Sequence, residues 1–345
     1  CRHVVIIGGN HDSPTFLNAP RELLKVLNVH VVGAKADSLT DEVIVLRNAD
    51  QRAEAIICAT PYLRDRDIRS TEAGESIEDK AQKLLEGIQA HYAAVTAHAE
   101  ALHTALPTDD AAHVPIIAMG HLFTAGGRTT DGDGVRDLYV GSIAHVGVNI
   151  FPPALDYVAL GHLHVPQNVG GRDHIRYSGS PIAMGFGEAL QQKSVCLMTF
   201  DQRKPELTLI DIPVFQRLRQ LRGNVQRLQS DLRHLVQDNI STWVEVIYTG
   251  DDIVPDLREQ LDHAVRSDNT NQQSPVTILR IKNQRSGAQL SSGEASQQTL
   301  DDLTPQDVFE KCLDANKVAI EQRPALQLAW QEILQQLHEH DTRAE

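Results

Sequence analysis

Residues 156–164 read Asp-Tyr-Val-Ala-Leu-Gly-His-Leu-His, an apolar run over 157–160 closed by Gly161 and followed by two histidines, His162 and His164. Consecutive apolar residues of this kind predict a buried strand of a parallel sheet, and the glycine permits a sharp exit from it. Two further stretches share the design. Residues 4–7, Val-Val-Ile-Ile, run into Gly9-Asn10-His11-Asp12, and residues 116–119 run into Gly120-His121. Ligands on open α/β sheets collect beyond the carboxyl ends of strands, so three such exits can converge on one site. In an extended segment His162 and His164 emerge on the same side, where each can serve one ion of a close pair. Imidazole nitrogen, amide oxygen and carboxylate without thiolate suit Mn²⁺, Fe²⁺ or Zn²⁺.

Outward from these exits, more short apolar runs occur at 55–58 and 195–200. A long helical pattern covers 76–106, with Leu84, Leu85, Ile88 and Tyr92 on one face. Strands mixed with helices predict α/β layers. From about residue 213 a Gln- and Arg-rich helix is expected through 238, then a strand at 243–248, a helix at 254–265 and a strand at 276–281, together a small α+β domain. Residues 283–298 are rich in Ser, Gln and Gly and read as a flexible linker. Thr304-Pro305 supplies an N-cap and first-turn proline for a helical tail. Val308, Phe309, Cys312 and Leu313 line one of its faces. Leu326, Trp330, Ile333 and Leu337 line a second, suited equally to core packing or to docking on another protein's helices.

The chain has 345 residues, enough for about two domains. Its formal charge is −14, which counts against a nucleic-acid partner only weakly, because metal ions, a local basic strip or a partner subunit can meet a phosphate. Cys1, Cys58, Cys196 and Cys312 form no Cys-x-x-Cys pair, and a reducing cytoplasm is the expected compartment. No apolar run has the roughly 18 residues needed to cross a bilayer, so no membrane association is expected.

Gly-Asn-His-Asp, Gly-His and Gly-His-x-His in this order resemble the calcineurin-like metallophosphoesterases. Gly-Asn-His-Asp-Ser at 9–13, Phe-Pro-Pro-Ala at 151–154, the stretch at 156–164 and Tyr-Ser-Gly-Ser-Pro at 177–181 look like one branch of them, the D subunits of bacterial SbcCD exonucleases. The resemblance implies a metallophosphoesterase β-sandwich flanked by helices over 1–212 and a DNA-capping domain over 213–283. A linker over 284–303 and a helical tail over 304–345 complete it, the tail docking on a coiled-coil ATPase of the SbcC type. It implies a homodimer within a heterotetramer, two Mn²⁺ ions, and ATP acting only through the partner. It also implies double-strand exonuclease and single-strand endonuclease action on DNA in repair, recombination and replication. Asn10, His121 and His162 would bind one Mn²⁺ and His164 the other. His11 would face the scissile phosphate as a catalytic, non-ligand histidine, with Asp12 holding its ring. His11-Asp12 also reads as a turn that bonds its own backbone.

The family pattern opens with Asp-x-His and Gly-Asp-x-x-Asp on two strands ahead of Gly-Asn-His-Asp, and this sequence carries neither. Gly132-Asp133 has its next Asp at 137, the wrong spacing for a substitute. The expectation is a chain without its family's first strands, with little nuclease activity alone beside an active longer parent, and with exposed sheet edges that lower solubility. Two other readings stay open: a phosphoesterase for small nucleotides or phosphoproteins, and a non-catalytic scaffold that binds the ATPase.

Overall fold

The computed structural model describes residues 1–69, 75–124, 127–129, 146–250, 252, 254–266, 274–284 and 305–339. Gly132, Asp133 and all of the expected linker except Asn283 and Gln284 lie outside them. The central element is a six-stranded mixed sheet of β3 (Val43–Arg47), β4 (Ala53–Ala59), β5 (Ile116–His121), β6 (Tyr157–Gly161), β7 (Gln167–Val169) and β8 (Arg172–Tyr177), in the order β3-β4-β5-β6-β8-β7. Strands β4, β5, β6 and β8 run parallel, and β3 and β7 close the two edges antiparallel. A separate parallel pair, β1 (Val4–Ile7) and β2 (Val29–Val32), is joined by α1 (Pro14–Asn18) and α2 (Arg21–Val26).

Side-chain alternation makes layers of these sheets. Ile56, Cys58, Ile116, Ala118, Val158 and Leu160 point to one face, against Leu84, Ile88, Tyr92, Val95 and Ala99 of α4 (Ile77–Thr104). Burial of each large side chain there contributes about 1.5–3 kcal/mol. The helix starts on a capping box, Ser76 accepting from the Asp79 amide and Asp79 from the Ser76 amide. Two short helices, α3 (Asp65–Ile68) and α5 (Thr108–Ala111), flank it. On the opposite face Ile57, Ala59, Ile117 and Met119 meet Val5, Ile7 and Val32 of the β1–β2 pair. The first strand is therefore parallel, as expected, but buried on one face only: Val4 and Ile6 stay exposed.

Strands β9 (Ser194–Asp201) and β10 (Lys204–Asp211) form an antiparallel hairpin. Its Cys196 thiol meets the Tyr157 hydroxyl. Tyr157 stands beside Ile117 in the ladder, so the hairpin shares the side of the large sheet that β1 and β2 occupy.

Beyond the hairpin come β11 (Arg217–Gly223), α6 (Val225–Gln237), β12 (Thr242–Tyr248), α7 (Leu257–Val265) and β13 (Val276–Asn283). The three strands are parallel, in the order β11-β12-β13, and α6 and α7 cover one face with Leu228, Leu232 and Leu261 fully buried. This corrects the expectation of an opening helix from about 213; the expected strand, helix and strand that follow are β12, α7 and β13, but the strands are parallel, so the unit is α/β rather than α+β. Leu218 and Leu221 are three apart, a helical spacing, but the ladder from Arg217 to Gly223 along β12 makes the segment a strand. The unit is a parallel βαβαβ fold with its own core.

The tail forms α8 (Pro305–Ala315) and α9 (Arg323–Glu339). Phe309 stacks on Trp330 with ring centroids 4.8 Å apart, and Gln327 Nε2 donates to Glu310 Oε1 at 2.6 Å, so the two apolar stripes partly cover one another. Ile320, Leu326 and Ile333 remain exposed. Among the described residues no helix is long and apolar enough to cross a membrane.

Candidate metal centre at three strand ends

Strands β5 and β6 are adjacent and parallel, and their register sets His121 beside Gly161, the residue before His162. β1 belongs to the opposing layer. Its exit is tied down by the Gly8 carbonyl, which accepts from the Tyr62 amide at 2.8 Å, and by the Gly8 amide, which donates to the Val32 carbonyl at 2.9 Å. Gly9 then passes directly over the His121 ring, where a Cβ would stand 2.7 Å from Cε1. Only a residue without a side chain fits that crossing.

The crossing brings Asn10 Oδ1 to 2.8 Å from His121 Nε2. The His121 and His162 rings lie 5.3 Å apart, edge to face. Burial pushes the His121 imidazole down to about 4, and the proximity of His11 and His164 adds to the shift. His121 is thus a neutral imidazole at pH 7, the form that can donate a lone pair. His162 is nearly buried and adopts φ 99°, a conformation that costs a residue with a Cβ about 1–3 kcal/mol. Strain of this size at a strand exit marks a position where the side chain's direction matters.

Asn10, His121 and His162 therefore meet at one rim, and His11 and His164 lie within electrostatic range of His121. Asp12 turns back: its Oδ2 accepts from the Gly9 amide at 2.7 Å, closing the strand-exit turn. His164 is held from behind by Glu188, whose Oε1 lies 2.8 Å from Nδ1. Glu188 is fully buried, and its Oε2 accepts from Ser180 Oγ at 2.9 Å and from Lys193 Nζ. Burial alone would raise the Glu188 carboxyl, but the bonds from Lys193, His164 and Ser180 outweigh it and hold the group below the ordinary glutamate value. Glu188, Ser180 and Lys193 did not stand out in the sequence. The one signal near them is Tyr-Ser-Gly-Ser-Pro at 177–181, which contains Ser180.

The donor chemistry fits a divalent ion in part. A metal about 2.1 Å from two neighbouring octahedral donors sets those donors about 3 Å apart, close to the Asn10 to His121 separation. Anionic donors are missing: among the described residues no three His, Cys, Asp or Glu side chains come together as a metal cluster. The set is neutral and open on one side, and hard divalent ions call for carboxylate oxygen to complete it.

Fold and site define a layered α/β protein with a histidine-rich centre where parallel strands end. Residues 214–317 match the family SbcD_C, described as the type 5 capsule protein repressor C-terminal domain. The chain is 32% identical to the D subunit of the SbcCD nuclease of Escherichia coli strain K12 over 328 residues, which are 94% of this chain and 77% of that relative. It is 35% identical over 201 residues to the SbcCD nuclease D subunit of Rhodobacter capsulatus, covering 56% of this chain and 47% of the relative. For the Bacillus subtilis D subunit the figures are 32% over 198 residues, 57% of this chain and 46% of the relative. The chain belongs to the family of SbcCD nuclease D subunits.

Proposed function

We propose that this chain is the nuclease subunit of an SbcCD-type complex and hydrolyses DNA phosphodiesters at the rim formed by Asn10, His11, His121, His162 and His164, on a calcineurin-like metallophosphoesterase scaffold. The observation that carries the reading is the contact of Asn10 with His121, which joins strand ends of two different layers. Asn10, His121 and His162 would hold one Mn²⁺ and His164 a second. When bound, such a pair supplies charge neutralisation for the phosphodiester and lowers the pKa of a water. His11 is near enough to His121 to shift it, and as a non-ligand imidazole it would stabilise charge on the phosphate or protonate the leaving oxygen. Asp12 fixes the turn from which His11 projects.

The rest of the chain suits that role. The face of the β11–β13 sheet away from its helices carries Arg222, Arg280 and Lys282; the last two pair with the buried Glu245 and keep part of their side chains exposed, where they could contact a DNA backbone. Phe16 on α1, Leu23 and Val26 on α2, and Leu27 just after it are exposed and apolar, as a surface between two copies of the chain requires. Ile320, Leu326 and Ile333 on the tail are available for helices of an ATPase partner, through which ATP would act.

The test is Mn²⁺-dependent cleavage of duplex ends and single-stranded DNA by the subunit assembled with its ATPase partner. His121→Ala and His162→Ala are expected to abolish cleavage and site-specific Mn²⁺ binding together. Cleavage that survives both substitutions would overturn the assignment. Mn²⁺ binding without any cleavage would favour a scaffold.

A further inference from the structure

Behind His164 lies an arrangement that none of the roles above uses. Its ring is held through Nδ1 by Glu188, and its main chain is held as well: the His164 carbonyl accepts from the Ser180 amide at 3.2 Å and from Lys193 Nζ at 3.2 Å. Lys193 Nζ also donates to Ser180 Oγ at 2.9 Å and to Gln191 Oε1 at 3.0 Å. Gly179 makes the approach possible. It sits at φ 78°, and a Cβ there would stand 2.7 Å from the His164 carbonyl oxygen. Residues 179–193 thus clamp one histidine by ring and backbone, with a buried Lys–Glu pair as the fixed point.

Such a pair is costly to bury. It persists where its hydrogen bonds are complete and its geometry serves something, and here each Glu188 oxygen has a donor. An ionised carboxylate only accepts, so the ring nitrogen facing it carries the proton. The other ring nitrogen, Nε2, is then left with a lone pair. We propose that Glu188, anchored by Ser180 and Lys193, is a positioning residue that locks His164 in the Nδ1–H tautomer and aims Nε2 into the rim as a metal donor. This rests on the metal-centre reading proposed above, and it gives the Tyr-Ser-Gly-Ser-Pro stretch at 177–181 a physical task.

The test uses the 345-residue chain labelled with ¹⁵N-histidine. Imidazole nitrogen shifts without metal report the tautomer, and Mn²⁺ added alone broadens the ring signals of each histidine that binds it. Wild type is expected to show His164 as Nδ1–H. Glu188→Ala is expected to release a mixture of tautomers and to raise the Mn²⁺ concentration for half-broadening of His164 about 10–100-fold. Glu188→Gln, which keeps an acceptor oxygen, is expected to restore the tautomer. If Glu188→Ala does not fold, Ser180→Ala is expected to move both readouts in the same sense by less. A wild-type His164 protonated on Nε2 overturns the proposal. So does a folded variant, Glu188→Ala or in its place Ser180→Ala, with unchanged tautomer and Mn²⁺ response. If wild type shows no broadening of any rim histidine, it is the metal-centre reading that fails, and the proposal falls with it.

Discussion

Asn10 Oδ1 and His121 Nε2 stand 2.8 Å apart although 111 positions separate them in the chain. One belongs to the exit of β1 and the other to the end of β5, strands of different sheets. Their meeting depends on the apolar contact of Val5 and Ile7 with Ile57, Ile117 and Met119. The site is therefore as stable as the packing between the two layers, and substitutions that disturb that packing act on the site without touching a donor.

Gly9→Ala tests this dependence. Gly9 does not need a left-handed backbone, so alanine is acceptable to the main chain, but its Cβ would lie 2.7 Å from His121 Cε1 and 3.0 Å from Nδ1. The imidazole must move. Overpacking of this kind costs about 1–3 kcal/mol, and the displaced ring is expected to weaken Mn²⁺ binding about tenfold or more. Thermal melting and a Mn²⁺ titration measure the two effects. An unchanged titration would mean that His121 is not held where metal binding needs it.

His162 offers a sharper comparison. At φ 99° any residue with a Cβ is strained. His162→Ala and His162→Gly remove the same imidazole, yet glycine relieves the backbone and alanine does not. The glycine variant is expected to be more stable by about 1 kcal/mol. In a domain of this size that is a difference of about 2–4 °C in Tm. Equal melting temperatures would place His162 in an unstrained conformation in solution.

The parts of the fold written in short local patterns were legible in the sequence. Apolar runs ending in Gly and His at 9–11, 120–121 and 161–164 announced three parallel strands and their common end, because strand burial and glycine exits depend on neighbours in the chain. The apolar periodicity of Leu84, Leu85, Ile88 and Tyr92 announced α4 for the same reason. The clamp on His164 was not legible, since Glu188 and Lys193 lie 24 and 29 positions away and meet it only after the chain folds. The strand at Arg217–Gly223 was misread because it shares the Gln- and Arg-rich composition of the helix that follows it. What makes it a strand is its neighbour Thr242–Tyr248, which the local pattern does not contain. Asp12 was ambiguous between a partner for His11 and a turn, and its bond to Gly9 places one oxygen in the turn.

Cys58 reports the contact between the large sheet and α4. It is fully buried, and its thiol lies 3.7 Å from the Val95 carbonyl, to which it donates. Burial, with the nearby Glu42 carboxylate adding to it, pushes the thiol up to about 12. At pH 8 only about one molecule in ten thousand would carry the thiolate, the reactive form. A thiol reagent is expected to label the exposed Cys1 and Cys312 in the native protein and to reach Cys58 only on unfolding. Rapid labelling of Cys58 under native conditions would show that α4 does not seal that face.

His30 on β2 makes a prediction about acid. Burial lowers its pKa below the ordinary histidine value, and His3 and Lys25 lower it further by proximity; the two rings are 5.9 Å apart. His3 is engaged through Nε2 with the Arg47 carbonyl at 2.7 Å, which keeps it beside His30. The folded state therefore favours neutral His30, while the unfolded chain takes up a proton near the ordinary value of about 6.5. Below that pH the unfolded state binds more protons, so the contribution is present in full above about 6.5 and is lost as pH falls through the lowered value. His30→Gln cannot titrate. Urea unfolding across pH 7.5 to 5 is expected to show wild type losing stability more steeply than the variant, with the two converging in slope above pH 7. Parallel curves over the whole range would mean that His30 is solvated and ordinary, and that β1 and β2 do not pack as closely at their amino ends as the structure shows.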